Sequence, residues 1–94
     1  MPESREKQAV VLDLQKIRTE IEEKLKGQTH IFRISKERQE IDGNSPGVLA
    51  MFDSKGVGPA GLFFIGRKAA YVKKNYIDWF MSRISTKGGT IHGL

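Results

Sequence analysis

The chain has 94 residues, a net charge of +5 and no cysteine. This length suffices for one compact domain with a single hydrophobic core, and the lack of cysteine excludes disulfides and thiolate metal sites and fits a reducing compartment. Neither a run of about 18 apolar residues nor a signal-peptide segment occurs, so we expect a cytoplasmic protein without a membrane span.

The positive charge is concentrated in the second part of the chain. Residues 1 to 30 hold six basic and six acidic residues, whereas residues 31 to 94 hold ten basic and five acidic ones. Between residues 55 and 87, seven basic residues accompany a single acidic one, Asp78. Such a cluster attracts polyanions, nucleic acid first among them. The alternative is a solubilising surface.

A first helix is predicted over residues 3 to 26, where apolar residues recur at the spacing of one helix face. These residues are Val10, Leu14, Ile17, Ile21 and Leu25. Gly27 would end the helix. Two interpretations stay open: the apolar stripe packs on its own domain, or Leu14, Ile17 and Ile21 form a protein contact with a second copy.

A helix-turn-helix is predicted next. Residues 34 to 41 favour a short helix, and Asp42-Gly43-Asn44 offers the left-handed backbone of a tight turn. Ser45-Pro46 then begins another helix, with serine as the N-cap and proline at the first helical position. This helix should end at Lys55-Gly56, and the order of helix, turn with glycine and helix is that of a helix-turn-helix.

The tract from residue 56 to 61 formally matches the dinucleotide-binding pattern G-x-G-x-x-G. That pattern requires a strand before it and a helix after it. Here a helix precedes it and a strand follows, so we interpret the tract as a flexible connection to a hairpin.

A β-hairpin is predicted from strands at residues 62 to 65 and 69 to 72. A three-residue loop, Gly66-Arg67-Lys68, would pair Phe63 with Tyr71 and keep one face apolar. Arg67 and Lys68 would then stand exposed at the tip, on a rigid support suited to phosphates.

In this register Phe64 and Ala70 point outward together. Phe64 is either covered by the N-terminal helix, which we favour, or exposed as a protein contact.

The last predicted helix covers residues 73 to 85, and residues 86 to 94 should form a flexible tail. Lys73 and Lys74 lie at the start of this helix, where the helix dipole favours anions. A bound phosphate would relieve this mismatch. The alternative is that both lysines extend into water.

An enzyme is not expected. His30 and His92 are the two histidines, each in a predicted loop or tail, and no spacing indicates a metal site or a nucleophile beside a base. We therefore expect no cofactor, no metal and no small-molecule substrate.

Several tracts together resemble the excisionase and MerR-like winged helix-turn-helix DNA-binding proteins of phages, plasmids and other mobile elements. The tracts are Ser45-Pro46, Lys55-Gly56-Val57-Gly58-Pro59, Ile65-Gly66-Arg67-Lys68, Tyr71 and Ile77-Asp78-Trp79-Phe80. The resemblance implies an α+β fold, with a winged helix-turn-helix over residues 31 to 85 and a two-stranded wing. The amphipathic helix of residues 1 to 30 lies outside it.

The resemblance also implies a site on duplex DNA, with a recognition helix in the major groove and a wing on the backbone or minor groove. The recognition helix would use Asn44, Ser45, Gly47, Val48 and Lys55. The wing and phosphate contacts would come from Arg67, Lys68, Lys73 and Lys74.

Some positions depart from the family pattern. Gly47 and Val48 stand where relatives have polar readers, and Gln39 and Asp42 stand where they have alanine and leucine. We therefore expect modest sequence specificity, gained through DNA shape or by several copies binding side by side.

The sequence thus predicts a DNA-binding protein of a mobile element, either an excisionase or a small transcription regulator, acting as a homodimer or as a side-by-side oligomer. The alternative is a protein-interaction module that has the winged-helix fold and modulates a host or phage complex without reading DNA.

Overall fold

The computed structural model describes residues 11–85 and 90–92, which form a small α+β protein. In chain order the elements are β1 (Val11–Asp13), α1 (Leu14–Lys24), β2 (His30–Phe32), α2 (Lys36–Asp42), α3 (Pro46–Ser54), β3 (Phe63–Ile65), β4 (Lys68–Val72), α4 (Lys73–Ser82) and β5 (Thr90–His92). The predicted α+β class is confirmed.

Three strands form an antiparallel sheet in the order β2-β4-β3. The central strand β4 pairs with β2 through Ile31 and Tyr71, and with β3 through Phe63 and Ala70. Because β2 precedes α2 and α3 while the hairpin follows them, the two helices are inserted between strands of one sheet. Strand β2 was not predicted from the sequence, because its three residues are too few for an alternating pattern.

The core lies between one face of this sheet and the helices. Its members are Ile21, Leu25, Ile31, Leu49, Tyr71, Tyr76, Ile77 and Trp79. The apolar stripe of α1 therefore packs on its own chain, as the first of the two interpretations has it. Leu14 and Ile21 are buried and Ile17 is partly buried against the core, so Leu14 and Ile21 offer no surface to a second copy.

Helix α1 begins later than its apolar periodicity predicts. Asp13 is its N-cap, and the carboxylate accepts a hydrogen bond of 3.2 Å from the backbone N–H of Lys16. The residues before it form β1, which pairs in parallel with β5, so residues 90–92 are a strand rather than part of a flexible tail. The rest of that tail, residues 86–89 and 93–94, and the predicted helical residues 3–10 lie outside the described residues.

The helix-turn-helix segment follows its local signals closely. Ser35 caps α2, which ends at Gly43 with a left-handed φ of 76°. The Ser45 hydroxyl accepts from the backbone N–H of Val48 at 3.2 Å, and Pro46 occupies the first turn of α3. Each cap satisfies backbone groups that a helix end leaves without a partner. The Ser45 cap was predicted, whereas the Ser35 cap was not, and α2 begins two residues later than expected.

A buried ion pair fixes the geometry of this segment. The side chain of Arg38 is 0 % exposed and donates to both carboxylate oxygens of Asp42, at 2.8 and 3.0 Å. It also donates to the backbone carbonyls of Arg33 at 2.8 Å and Asn44 at 3.0 Å. Asp42 in turn accepts from the Tyr76 hydroxyl at 2.7 Å. The carboxylate of Asp42 thus joins α2 and the turn to α4.

The hairpin has a two-residue loop, so the predicted three-residue loop is wrong. Ile65 pairs with Lys68 and Phe64 with Ala69, which leaves Gly66 and Arg67 as the connection. Gly66 has a φ of 63°, the positive value that two-residue hairpin turns need at their first central position. This turn geometry determined the register, rather than the preference for an all-apolar face.

Within the part of the chain that the structure describes, every helix is too short or too polar to cross a membrane.

The Arg38→Met variant tests the buried ion pair. It should lower the free energy of unfolding by about 3–5 kcal/mol, because the carboxylate of Asp42 is left buried without its cation. Urea denaturation followed by circular dichroism measures the change. Arg67→Met, which removes an exposed guanidinium, is the matched control and should change stability little. Equal stability of the two variants would contradict the structural role of Arg38.

Candidate nucleic-acid interface

The hairpin tip presents two cations on a well-supported strand pair. Arg67 lies in the turn and Lys68 begins β4, and both are exposed. None of the ion pairs among the described residues includes either side chain. The Lys68 ammonium lies 5.7 Å from the ring centroid of Phe32, on the outer face of the sheet. The tip is therefore available to an external anion.

A polar cluster attaches α3 to the centre of the sheet. The carboxylate of Asp53 accepts from the Arg33 guanidinium at 2.7 Å and from the Tyr71 hydroxyl at 2.6 Å. Arg33 also donates to the Tyr71 hydroxyl at 3.2 Å. Burial raises the pKa of Tyr71 to about 12. Burial alone would lower the pKa of Arg33, but hydrogen bonds to Tyr71 and Asp53 raise it above its ordinary value.

The glycine-rich tract after α3 is a tight loop packed against this cluster. A Cβ atom at Gly58 would overlap the Asp53 carboxylate and lie 3.3 Å from the backbone nitrogen of Asp53. The indole N–H of Trp79 donates to the carbonyl of Val57 at 2.8 Å. Glycine is needed here for close packing beside α3, and this agrees with the rejection of a nucleotide-binding turn.

The outward surface of α3 has little polar chemistry. Gly47, Met51 and Ser54 are exposed and Ala50 is half-buried. Among the predicted readers, Ser45 uses its hydroxyl to cap the helix. Asn44, Val48 and Lys55 are also placed beside the outward surface, with Lys55 exposed at its end.

The backbone of Asn44 is engaged within the chain, since its N–H donates to Asp42 and its carbonyl accepts from Arg38. Val48 is half-buried. Of the predicted recognition-helix residues, Gly47 and Lys55 are therefore the most accessible.

Lys73 and Lys74 begin α4 as predicted, but the chain itself satisfies them. The Lys74 ammonium lies 2.8 Å from the Asp78 carboxylate, which also pairs with Arg18 at 2.6 Å. Hydrogen bonds from Lys74 and Arg18 hold the pKa of Asp78 below its usual range. Lys73 donates to the carbonyl of Leu25 at 3.4 Å. These contacts offset part of the mismatch with the helix dipole within the chain, and phosphate binding by Lys73 and Lys74 stays a prediction.

Phe64 projects from the hairpin and is 59 % exposed. The expectation that the N-terminal helix covers it is wrong. The expectation that it shares a face with Ala70 is also wrong, since Phe64 lies opposite Ala69 and Ala70 is fully buried on the other face. The cause is the one-residue change in register, which moves a side chain from one face of a strand to the other.

The histidines occupy strands rather than loops. The ring of His30 packs edge-on against Phe32 and Phe63, with centroid distances of 5.0 and 6.1 Å, and His92 belongs to β5. Over residues 11–85 and 90–92, no group of histidine or carboxylate side chains is placed to hold a metal ion.

Comparison with known proteins gives no match among family models, curated proteins or solved structures.

The two tyrosines of the chain provide a test of the buried polar clusters. Burial raises the pKa of both, that of Tyr71 to about 12 and that of Tyr76 further. Tyrosinate absorbance should therefore stay flat through pH of about 10, where an exposed tyrosine ionises. In denaturant both should titrate near this ordinary value.

The same shift has a consequence for stability. The pKa of Tyr71 is higher in the folded protein than in the unfolded chain. The hydroxyl therefore contributes its full share to the free energy of unfolding below pH of about 10, and this share disappears as the pH rises towards 12. Tyr71→Phe should weaken this alkaline dependence in denaturation curves recorded at several pH values. An unchanged dependence would contradict the burial of this hydroxyl.

Proposed function

We propose that the protein binds duplex DNA as a winged helix-turn-helix protein, with α3 in the major groove and the β3–β4 hairpin on the adjacent backbone or minor groove. The order β2-α2-α3-β3-β4, with β4 between the other two strands, supports this proposal. So do the caps at Ser35 and Ser45, which place a glycine-containing turn between α2 and α3.

The observation that carries the proposal is the pair of exposed cations at the hairpin tip. A two-residue turn and strand pairing immediately behind it hold Arg67 and Lys68 in place. Neither forms an ion pair with a carboxylate of the described residues. Cations on a rigid support lose little conformational entropy when they bind phosphates, and the release of counterions from DNA then favours association.

The mode of binding relies on phosphates more than on base edges. Lys55 adds a third exposed cation at the end of α3, while the outward side chains of α3 supply few hydrogen-bond donors. A protein of this type positions itself through backbone contacts and gains modest specificity. A recombination directionality factor and a small transcription regulator of a mobile element both fit this behaviour.

A salt series tests the proposal. The double variant Arg67→Ala/Lys68→Ala should bind duplex DNA more weakly, and the slope of log K against log salt should flatten by up to about two units, because two phosphate contacts are lost. Fluorescence anisotropy with a labelled duplex measures both quantities.

Lys24→Ala/Lys26→Ala is a control with the same loss of charge. These lysines flank Leu25, whose carbonyl accepts a hydrogen bond from Lys73. Lys73 directly follows β4, at the end of the strand that lies away from the hairpin tip. The control should keep a slope closer to that of the unchanged protein. Equal effects of the two double variants would show that net charge, rather than the hairpin tip, governs binding.

A second candidate function is the protein-interaction module, and exposed apolar side chains favour it. Phe64 is 59 % exposed, Met51 44 % and Val57 50 %. Side-by-side binding of several copies also stays a prediction, and Phe64 is a more accessible apolar contact for it than the α1 stripe.

Sedimentation of the purified protein with and without duplex DNA separates the two functions. A DNA-binding protein should sediment with DNA at low salt, and Phe64→Ser should reduce any assembly beyond one copy on each site. Absence of DNA binding at low salt, together with self-association that Phe64→Ser abolishes, would favour the interaction module.

A further inference from the structure

The outward face of α3 carries mostly small or apolar side chains, which is unusual for a helix that would read bases. Its outward residues are Gly47, Ala50, Met51 and Ser54. The neighbouring polar residue Asp53 is turned inward by Arg33 and Tyr71. No guanidinium, ammonium or amide side chain lies within α3, and Lys55 follows only at its C-terminal end.

Gly47 has no explanation in the packing of the chain. The glycines with positive φ are at other positions of the described residues. A Cβ atom at Gly47 would have the Ser45 hydroxyl oxygen at 3.9 Å and nothing nearer. Glycine in a helix lowers stability relative to alanine. A glycine that neither conformation nor packing requires is consistent with a partner that approaches the α3 backbone closely.

The major groove offers one apolar feature on its base edges, the C5-methyl group of thymine. Guanine presents two acceptors there, and arginine or lysine is its usual partner. Apart from the Ser54 hydroxyl, the α3 surface supplies no donor for those acceptors, and burying them unpaired is unfavourable. Ala50 and Met51 can instead contact thymine methyl groups, so the surface matches A·T pairs better than G·C pairs.

The hairpin tip also favours A·T-rich DNA. Runs of A·T pairs narrow the minor groove and strengthen its negative potential, and this attracts inserted arginine and lysine side chains. Arg67 and Lys68 are exposed at the tip of the two-residue turn. A·T-rich DNA would therefore suit both the hairpin and α3.

We propose that the target of the protein is A·T-rich duplex DNA, read by Ala50 and Met51 through thymine methyl groups, with Gly47 allowing α3 to approach the floor of the groove. This inference rests on the proposed function and names its substrate class. It assigns most of the base preference to α3, while the hairpin cations supply general affinity and a smaller preference for a narrow minor groove.

The test uses duplexes that differ by single chemical groups. An alternating A·T duplex should bind more tightly than an alternating G·C duplex of equal length at the same salt concentration. Replacing thymidine by deoxyuridine removes only the methyl groups and should weaken binding by about fourfold for each methyl contacted. Replacing cytosine by 5-methylcytosine in the G·C duplex should recover part of the affinity.

A minor-groove substitution distinguishes α3 from the hairpin. Replacing adenine by 2,6-diaminopurine adds an amino group in the minor groove and leaves the thymine methyl in place. The proposal expects a smaller effect from this change than from deoxyuridine. A loss of affinity with diaminopurine but none with deoxyuridine would assign the preference to the hairpin and overturn the role of α3.

Two variants connect the preference to the residues. Gly47→Ala should keep or raise the melting temperature and yet weaken DNA binding, whereas a purely structural glycine would not separate these two effects. Met51→Ala should reduce the difference between thymidine and deoxyuridine duplexes. Unchanged DNA binding by Gly47→Ala would overturn the close approach.

The failures of the two proposals can be told apart. No binding to any duplex at low salt would overturn the proposed function itself. Binding of equal strength to A·T, deoxyuridine and G·C duplexes would overturn the A·T preference and leave DNA binding in place.

Discussion

The arrangement of the helices depends on the buried ion pair between Arg38 and Asp42. A buried ion pair adds little net stability, because the loss of hydration offsets much of the attraction. Its effect here is geometric, since the guanidinium also binds the carbonyls of Arg33 and Asn44 while the carboxylate binds Tyr76. These contacts join the end of β2, the turn and α4, directly before the Ser45 cap at which α3 begins.

The other end of α3 is held by Asp53, which binds Arg33 and Tyr71. The ionic side chains packed beside α3, Asp42 and Asp53 with their arginines, are thus engaged within the chain, and the outward surface of α3 consists of glycine, alanine, methionine and serine. Orientation of α3 and attraction of a polyanion thus depend on different charged residues. The ionic groups that could read bases instead orient the helix, while the hairpin cations supply the attraction for a polyanion.

Sequence signals were most informative where a few neighbouring residues decide the outcome. The cap at Ser45 and the turn at Gly43 act on backbone groups within about one helical turn, and the end of α2 and the start of α3 agree with them. They were least informative for the hairpin, where a turn geometry outweighed face matching. That single residue of register moved Phe64 from the face of Ala70 to the face of Ala69.

Local chemistry alone thus predicted the α+β class, the Ser45 cap and the two cations that follow Gly66. The tertiary structure decided which charges stay available, because their partners lie far away in sequence. Arg18 and Asp78 are 60 residues apart, and Arg33 and Tyr71 are 38 apart. Such pairings depend on how the whole chain packs, so Arg18 of α1 reaches Asp78 of α4, whereas Arg67 and Lys68 keep their charge towards solvent.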